Sequence, residues 1–262
     1  YKLFELNLRR TDGQQGERKR GVPMKIQCVW EHNGNDSIVY AANFVGAFAR
    51  GRSLEEALQK MPAETAAYLR WKGDSAPGMA GQLEPAVVQE KESELQISDA
   101  DSDVLFAAEK GPLTVAEYQE LKALALKSAQ DFLTLYQAVP DKNKSCLPVR
   151  ATFYGQLPRT AQEMYDHTKN VNDYYFGEIG VPADHDGTIA ACRQRGFEQL
   201  EHQPDYLNNT VYRGSYGEEW SLQKVLRRFI WHDRIHAKAM YRMAVKTFGK
   251  AAVPNVFCFE EE

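Results

Sequence analysis

The chain of 262 residues carries 32 lysines and arginines against 36 aspartates and glutamates, a net charge of −4 with the two signs interspersed. No basic field points to nucleic acid, and no acidic run points to a solvating tail. No apolar run approaches the roughly 18 residues of a membrane span, and no signal-peptide pattern opens the sequence, so the expected setting is the cytoplasm.

At about 150 residues per domain the length fits two domains. Cys28, Cys146, Cys192 and Cys258 are scattered with no CxxC pair, which suits a reducing compartment. The sequons at Asn143 and Asn208 are read as incidental. Residues 1–9 alternate Phe4, Leu6 and Leu8 with polar neighbours and predict a short half-buried strand, followed by a polar, basic loop.

Residues 24–31 place Met24, Ile26, Cys28 and Trp30 on one side of a strand. After the turn formers Asn33, Gly34, Asn35 and Asp36, a second strand is expected over 37–45, making a hairpin that residues 46–51 close. Ser53 and Glu56 form a capping box that opens a helix to about Leu69, with Leu54, Ala57, Leu58, Met61 and Ala66 on its apolar side. The expected unit is a small antiparallel sheet with one helix. Its run IVYAANFVGAFARGRSLEEALQKM resembles the HicB-like antitoxin fold, in which a hairpin strand ends at a Gly-Cys-Phe-like corner before a Ser/Thr-Leu-Glu-Glu-Ala helix. Here the corner is Gly46-Ala47-Phe48. The resemblance covers 24–71 and implies a sheet packed on a helix and, in relatives, binding of a toxin or another partner. The plainer reading of such a unit is a folding or dimerisation appendage.

Residues 72–81 read as a loop or linker, and 86–97 as a further strand carrying Val87, Val88, Leu95 and Ile97. From Thr114 the periods become helical, which places a boundary near 110–113 and divides the chain into 1–110 and 111–262. Thr114 and Glu117 cap a helix to about Val139, ended by Pro140, with Tyr118, Leu121, Ala125, Phe132 and Leu135 along its seam. Thr160 and Glu163 cap a second to about Phe176, with Leu157, Ala161, Met164, Val171 and either Tyr174 or Tyr175 inward. A third spans 186–203 and holds Ile189, Phe197 and Leu200. Four such helices predict an all-α four-helix bundle, whose core is where facing helices build metal sites.

The fourth helix, 221–249, is the longest periodic segment. Ser221 is a good N-cap and Gly249 a usual helix stop. Its seam runs Leu222, Val225, Phe229, then Ala239 and Met243, and the same step lands on His232 and His236 in between. Residues four apart on a helix lie one above the other, so both rings can face one object. That is metal-ligand spacing, although a hydrogen-bonded core pair would also account for it. His167 lies three residues after Met164 and four before Val171, on or beside the inward face of its own helix. It can supply a third imidazole and leave a fourth position open, the pattern of catalytic rather than structural sites.

The segment from Thr160 to Asn172 together with GEEWSLQKVLRRFIWHDRIHAKAM is similar to the DinB-like bundle family, in which a histidine from the second helix joins an HxxxH pair on the fourth. The resemblance covers 114–249 and implies His167, His232 and His236 as ligands of a divalent metal, zinc or nickel. It further implies a hydrolase or thiol-dependent transferase acting on a small molecule, with a thiol as cosubstrate and a homodimer as the assembly. A non-enzymatic regulatory protein, using the HicB-like part to bind a partner, is the alternative. Glu163 can serve as a base near His167, but its cap accounts for it. Tyr165, Asp166 and Asp233 neighbour the ligands in sequence and turn about 100° away, toward a surface or interface. Asp131 and Tyr136 are candidates to face the site. His32, His185 and His202 read as solvated, and Cys192 as packed rather than reactive.

Overall fold

Strand β1 (Met24–Asn33) buries Ile26 and Cys28 toward one face of the sheet and Val29 and Glu31 toward the other. Gly34, left-handed at φ +56°, turns the chain into β2 (Asp36–Ala41), antiparallel to β1. The expected strand to Val45 ends at Ala41, whose N–H donates to the Ala47 carbonyl across a tight turn. Strand β3 (Phe48–Gly51) pairs antiparallel with β2, and Ser53 then caps α1 (Leu54–Lys72) by accepting from the Glu56 N–H. The structure, a computed structural model, describes residues 23–34, 36–74, 79–152 and 155–260. The strand and basic loop expected over 1–20 lie outside the described residues.

The sheet is mixed, which corrects the expected antiparallel one. Strand β4 (Leu83–Glu92) runs parallel to β1, and the order is β3-β2-β1-β4. Helix α1 is the reason: it carries the chain back across the sheet, so β4 enters in the direction β1 took. The strand also starts and stops earlier than 86–97, and as an edge it leaves Val87 and Val88 exposed.

Helices α2 (Val115–Ala138) and α3 (Ala161–Gly177) begin at reciprocal capping boxes, Thr114 with Glu117 and Thr160 with Glu163. Helix α4 (Ile189–Glu201) follows, and α5 (Leu222–Phe248) closes the set. Helix α5 packs on α2 and α3, while α4 packs on the same two. Tyr175, not Tyr174, is the inward tyrosine of α3. On α5, Met243 is buried as expected but Ala239 is exposed, and the other buried positions beyond His236 are Ala237, Met240, Tyr241 and Ala244.

The core does not stop at the junction of the two parts. One apolar cluster joins the α1 face of the sheet (Ile26, Cys28, Val39) to the interior of the helices (Phe132, Phe176, Phe229). A second seals the other sheet face, where Val29, Ile38, Tyr40 and Phe48 meet Ile97, Val104, Phe106 and Trp231 of α5. Gly46 sits at φ +106°, and a Cβ there would come 2.3 Å from Ile230 Cγ2. A side chain at this corner therefore meets both an unfavourable backbone and a filled space. Gly46→Ala is expected to destabilise the chain by about 2–4 kcal/mol in urea unfolding, the sum of a left-handed alanine and core overpacking.

Candidate metal centre

The three predicted histidines converge. His167 comes from α3, and His232 and His236 from successive turns of α5, where the packing of the two helices brings them together. Their ligand atoms lie within 4.8 Å of one another, and no fourth His, Cys, Asp or Glu joins them among the described residues. The Nε2 atoms of His232 and His236 stand 3.2 Å apart. Two nitrogens at about 2.0–2.1 Å from a tetrahedral ion are separated by about 3.3 Å, so this spacing fits a shared ion. The ring of His167 is 4.6 Å from that of His236 and 5.2 Å from that of His232, centre to centre. His232 is buried, His236 half-buried and His167 exposed, which sets His167 at the mouth.

Burial is the first cause of the low basicity of all three rings. It lowers His167, lowers His236 to about 3 with help from His167, and lowers His232 well below the ordinary value, with further repulsion from His236, His167, Arg228 and Arg193. Neutral imidazoles keep a lone pair for an ion, so three of them can hold a divalent metal. Tyr175 presents its ring edge-on to His232 at 5.9 Å, helping to fix it on the closed side.

The other candidates are directed elsewhere. Glu163 accepts from the N–H groups of Arg159 and Thr160, which hold its carboxyl below the usual range, so its role is the cap. Asp131 accepts from Trp71 Nε1 and Lys127, and Tyr136 donates to Gln162 while stacking on Tyr165 at 4.1 Å. Asp166 accepts from Gln162 and is half-buried. Cys192 is packed, and burial raises its thiol. His185 and His202 expose much of their surface, whereas His32 does not. It stacks on Trp30 at 3.9 Å, and its Nε2 lies 3.1 Å from Glu90, which corrects the solvated reading.

Two residues expected at the surface are interior. Tyr165 is buried, and its hydroxyl accepts from the Ile189 N–H at 3.0 Å. Asp233 is fully buried, where it receives the Arg193 guanidinium in two bonds of 3.1 and 3.2 Å and the Ser128 hydroxyl. The physical reason is that α5 has almost no solvent side in its first half, so the residue turned away from the histidines enters another part of the core. Arg193, Arg227, Arg228 and Lys224 are buried there as well.

Removing one member of such a buried pair leaves an uncompensated charge. Asp233→Ala should cost about 3–5 kcal/mol in denaturant unfolding. Acid sensitivity follows from the histidines. The unfolded chain protonates them near 6.5, whereas the folded chain protonates His167 below that value and His232 and His236 far below it, so their contribution is complete above 6.5 and is lost as pH falls beneath it. Urea midpoints of metal-free protein between pH 7 and pH 4 should drop more steeply for the wild type than for His236→Gln. Comparison of the chain with protein-family models, curated proteins and solved structures gives no match. The functional reading therefore rests on the residues themselves.

Proposed function

We propose that this chain is a divalent-metal enzyme of the DinB-like type, with α2–α5 as a four-helix bundle and His167, His232 and His236 as the ligands of one ion. The observation that carries the proposal is the convergence of three uncharged imidazoles from two helices at ligand spacing, with one of them at the mouth. Zinc and nickel both suit such a donor set. When bound, the ion supplies Lewis acidity to an oxygen or a thiolate sulfur, as hydrolysis or thiol transfer requires. The chain holds His232 and His236 on one rigid helix with their lone pairs toward a common point, and the fourth position faces a small-molecule substrate on the His167 side. The four cysteines are free, in keeping with a cytoplasmic protein, and a homodimer is the assembly we propose.

A second reading is favoured by one contact. The metal helix itself supplies Trp231 to the sheet of the HicB-like part, within residues 1–110, and Ile230 to its Gly46 corner. A partner gripping that part would press on the helix bearing the ligands, so a regulatory protein that reports metal is the alternative. Pull-down with the full chain distinguishes the two when repeated with and without metal.

Elemental analysis of protein purified without added metal or a histidine tag tests the main reading. About one equivalent is expected in the wild type, with loss in His167→Ala and in His236→Ala. An unchanged content in both variants, or none in the wild type even after reconstitution, refutes it.

A further inference from the structure

Six buried side-chain atoms without a hydrogen-bond partner lie in one neighbourhood around Arg228 and Trp231. They are Arg228 Nε, Trp231 Nε1, Trp220 Nε1, His232 Nδ1, Tyr40 Oη and Arg227 Nη1. Ring geometry ties them together. The Arg228 guanidinium lies 4.9 Å from the Trp231 ring, 5.6 Å from Trp220 and 5.4 Å from Tyr175, and Tyr175 in turn meets His232. Arg228 and His232 are one helical turn apart on α5 and so share a face.

The cluster is rich in donors and poor in acceptors. Glu218 Oε1 is already 2.8 Å from Lys224 Nζ, and Arg227 is paired with Glu109. Arg228 directly follows Arg227, and among the described residues no carboxylate pairs with it. Its Nη1 donates to the Ser102 carbonyl, and Nε donates to nothing. A buried guanidinium flanked by unused N–H groups is costly unless an anion completes it. Buried polar groups in folded proteins are almost always satisfied, and an excess of donors around a fixed positive charge specifies what is missing. Arg228 and His232 keep 9% and 7% of their surface in solvent whereas Trp220 keeps none, so of the cluster's members these two are nearest the outside.

We propose that this cluster is a subsite for the carboxylate of an anionic small-molecule substrate, seated between Arg228 and His232. The inference deepens the metal-enzyme reading, on which it rests for the substrate's chemistry. The carboxylate accepts from Arg228 Nε, Trp231 Nε1 and the His232 Nδ1–H. With Nδ1 donating, the lone pair of His232 is fixed on Nε2, the nitrogen that faces His236. The anion thereby becomes the partner that orients a metal-ligating imidazole, a role ordinarily filled by a protein carboxylate. Metal and carboxylate must then strengthen each other's binding by the same factor.

The test uses the full metal-free chain, titrated calorimetrically with sodium acetate and with sodium chloride at constant ionic strength. Saturable acetate binding is expected, with at least a tenfold loss in Arg228→Lys, which keeps the charge and removes Nε. Trp231→Phe keeps the ring, removes its N–H and should weaken acetate several-fold, so the result does not depend on how one buried variant folds. Zinc affinity by chelator competition should rise about 10–100-fold with acetate in the wild type. Acetate no better than chloride, or unaltered by both substitutions in variants that melt like the wild type, overturns the proposal. Saturable acetate binding in wild-type protein that takes up no zinc even after reconstitution supports the subsite while removing the metal reading. One equivalent of zinc with no acetate response removes the subsite alone.

Discussion

Helix α5 has charge on sides that meet no water, and the rest of the molecule is arranged to answer it. Arg227 takes Glu109, Lys224 takes Glu218 with the carbonyls of Asp103 and Glu219, Asp233 takes Arg193, and Arg228 takes the Ser102 carbonyl. The partners come from three separate segments. The segment 102–109 leaving the sheet, the helix α4 and the loop before α5 are thus all fixed on one rod. Such pairs add little net stability over apolar packing, but they impose register, because any slip of the rod strands several charges at once. The histidine pair inherits that register and does not have to secure its own.

The apolar periods, the three reciprocal or near-reciprocal caps and the His232–His236 pair were legible because each depends on residues near in sequence, whereas His167 was added from its place on the inward face of another helix and from the resemblance. Caps are three residues long, and an i,i+4 pair needs one turn of helix. What was not legible depends on which sides of an element are covered. Asp233 and Tyr165 read as surface residues because a period of 3.6 assigns one buried stripe, whereas α5 is enclosed by helices, a sheet and a loop together. The one local sign was the density of charge on a strongly apolar helix, with Lys224, Arg227, Arg228, Asp233 and Arg234 within eleven positions. The direction of β4 escaped for a related reason: it is set by the crossover of α1, and nothing in residues 83–92 encodes it.

Arg234 shows that the enclosure is not uniform in kind. Among the described residues it too pairs with no carboxylate, but four rings surround it, those of Tyr68, Trp71, Phe257 and Phe259 at 4.9–5.7 Å. Aromatic faces compensate part of the charge there, and the chain end that supplies Phe257 and Phe259 is held against α1 in return. Arg234 Nε and Nη1 have no hydrogen-bond partner, as Arg228 Nε has none. The difference is that two of the rings around Arg228, Trp220 and Trp231, carry unused N–H groups of their own, whereas Trp71 beside Arg234 donates to Asp131.

The seal that Trp231 places over the sheet has a consequence for how the chain emerges from the ribosome. The face formed by Val29, Ile38, Tyr40 and Phe48 is complete once β3 has been made, yet the indole that covers it is added about 180 residues later. At about 5–20 residues per second, that interval is roughly 10–35 s. During it, among the described residues, the part of the cover already made is the segment from Leu95 to Phe106, and Trp231 is still to come. Translation of α5 is the event that brings Trp231 to this face of the sheet.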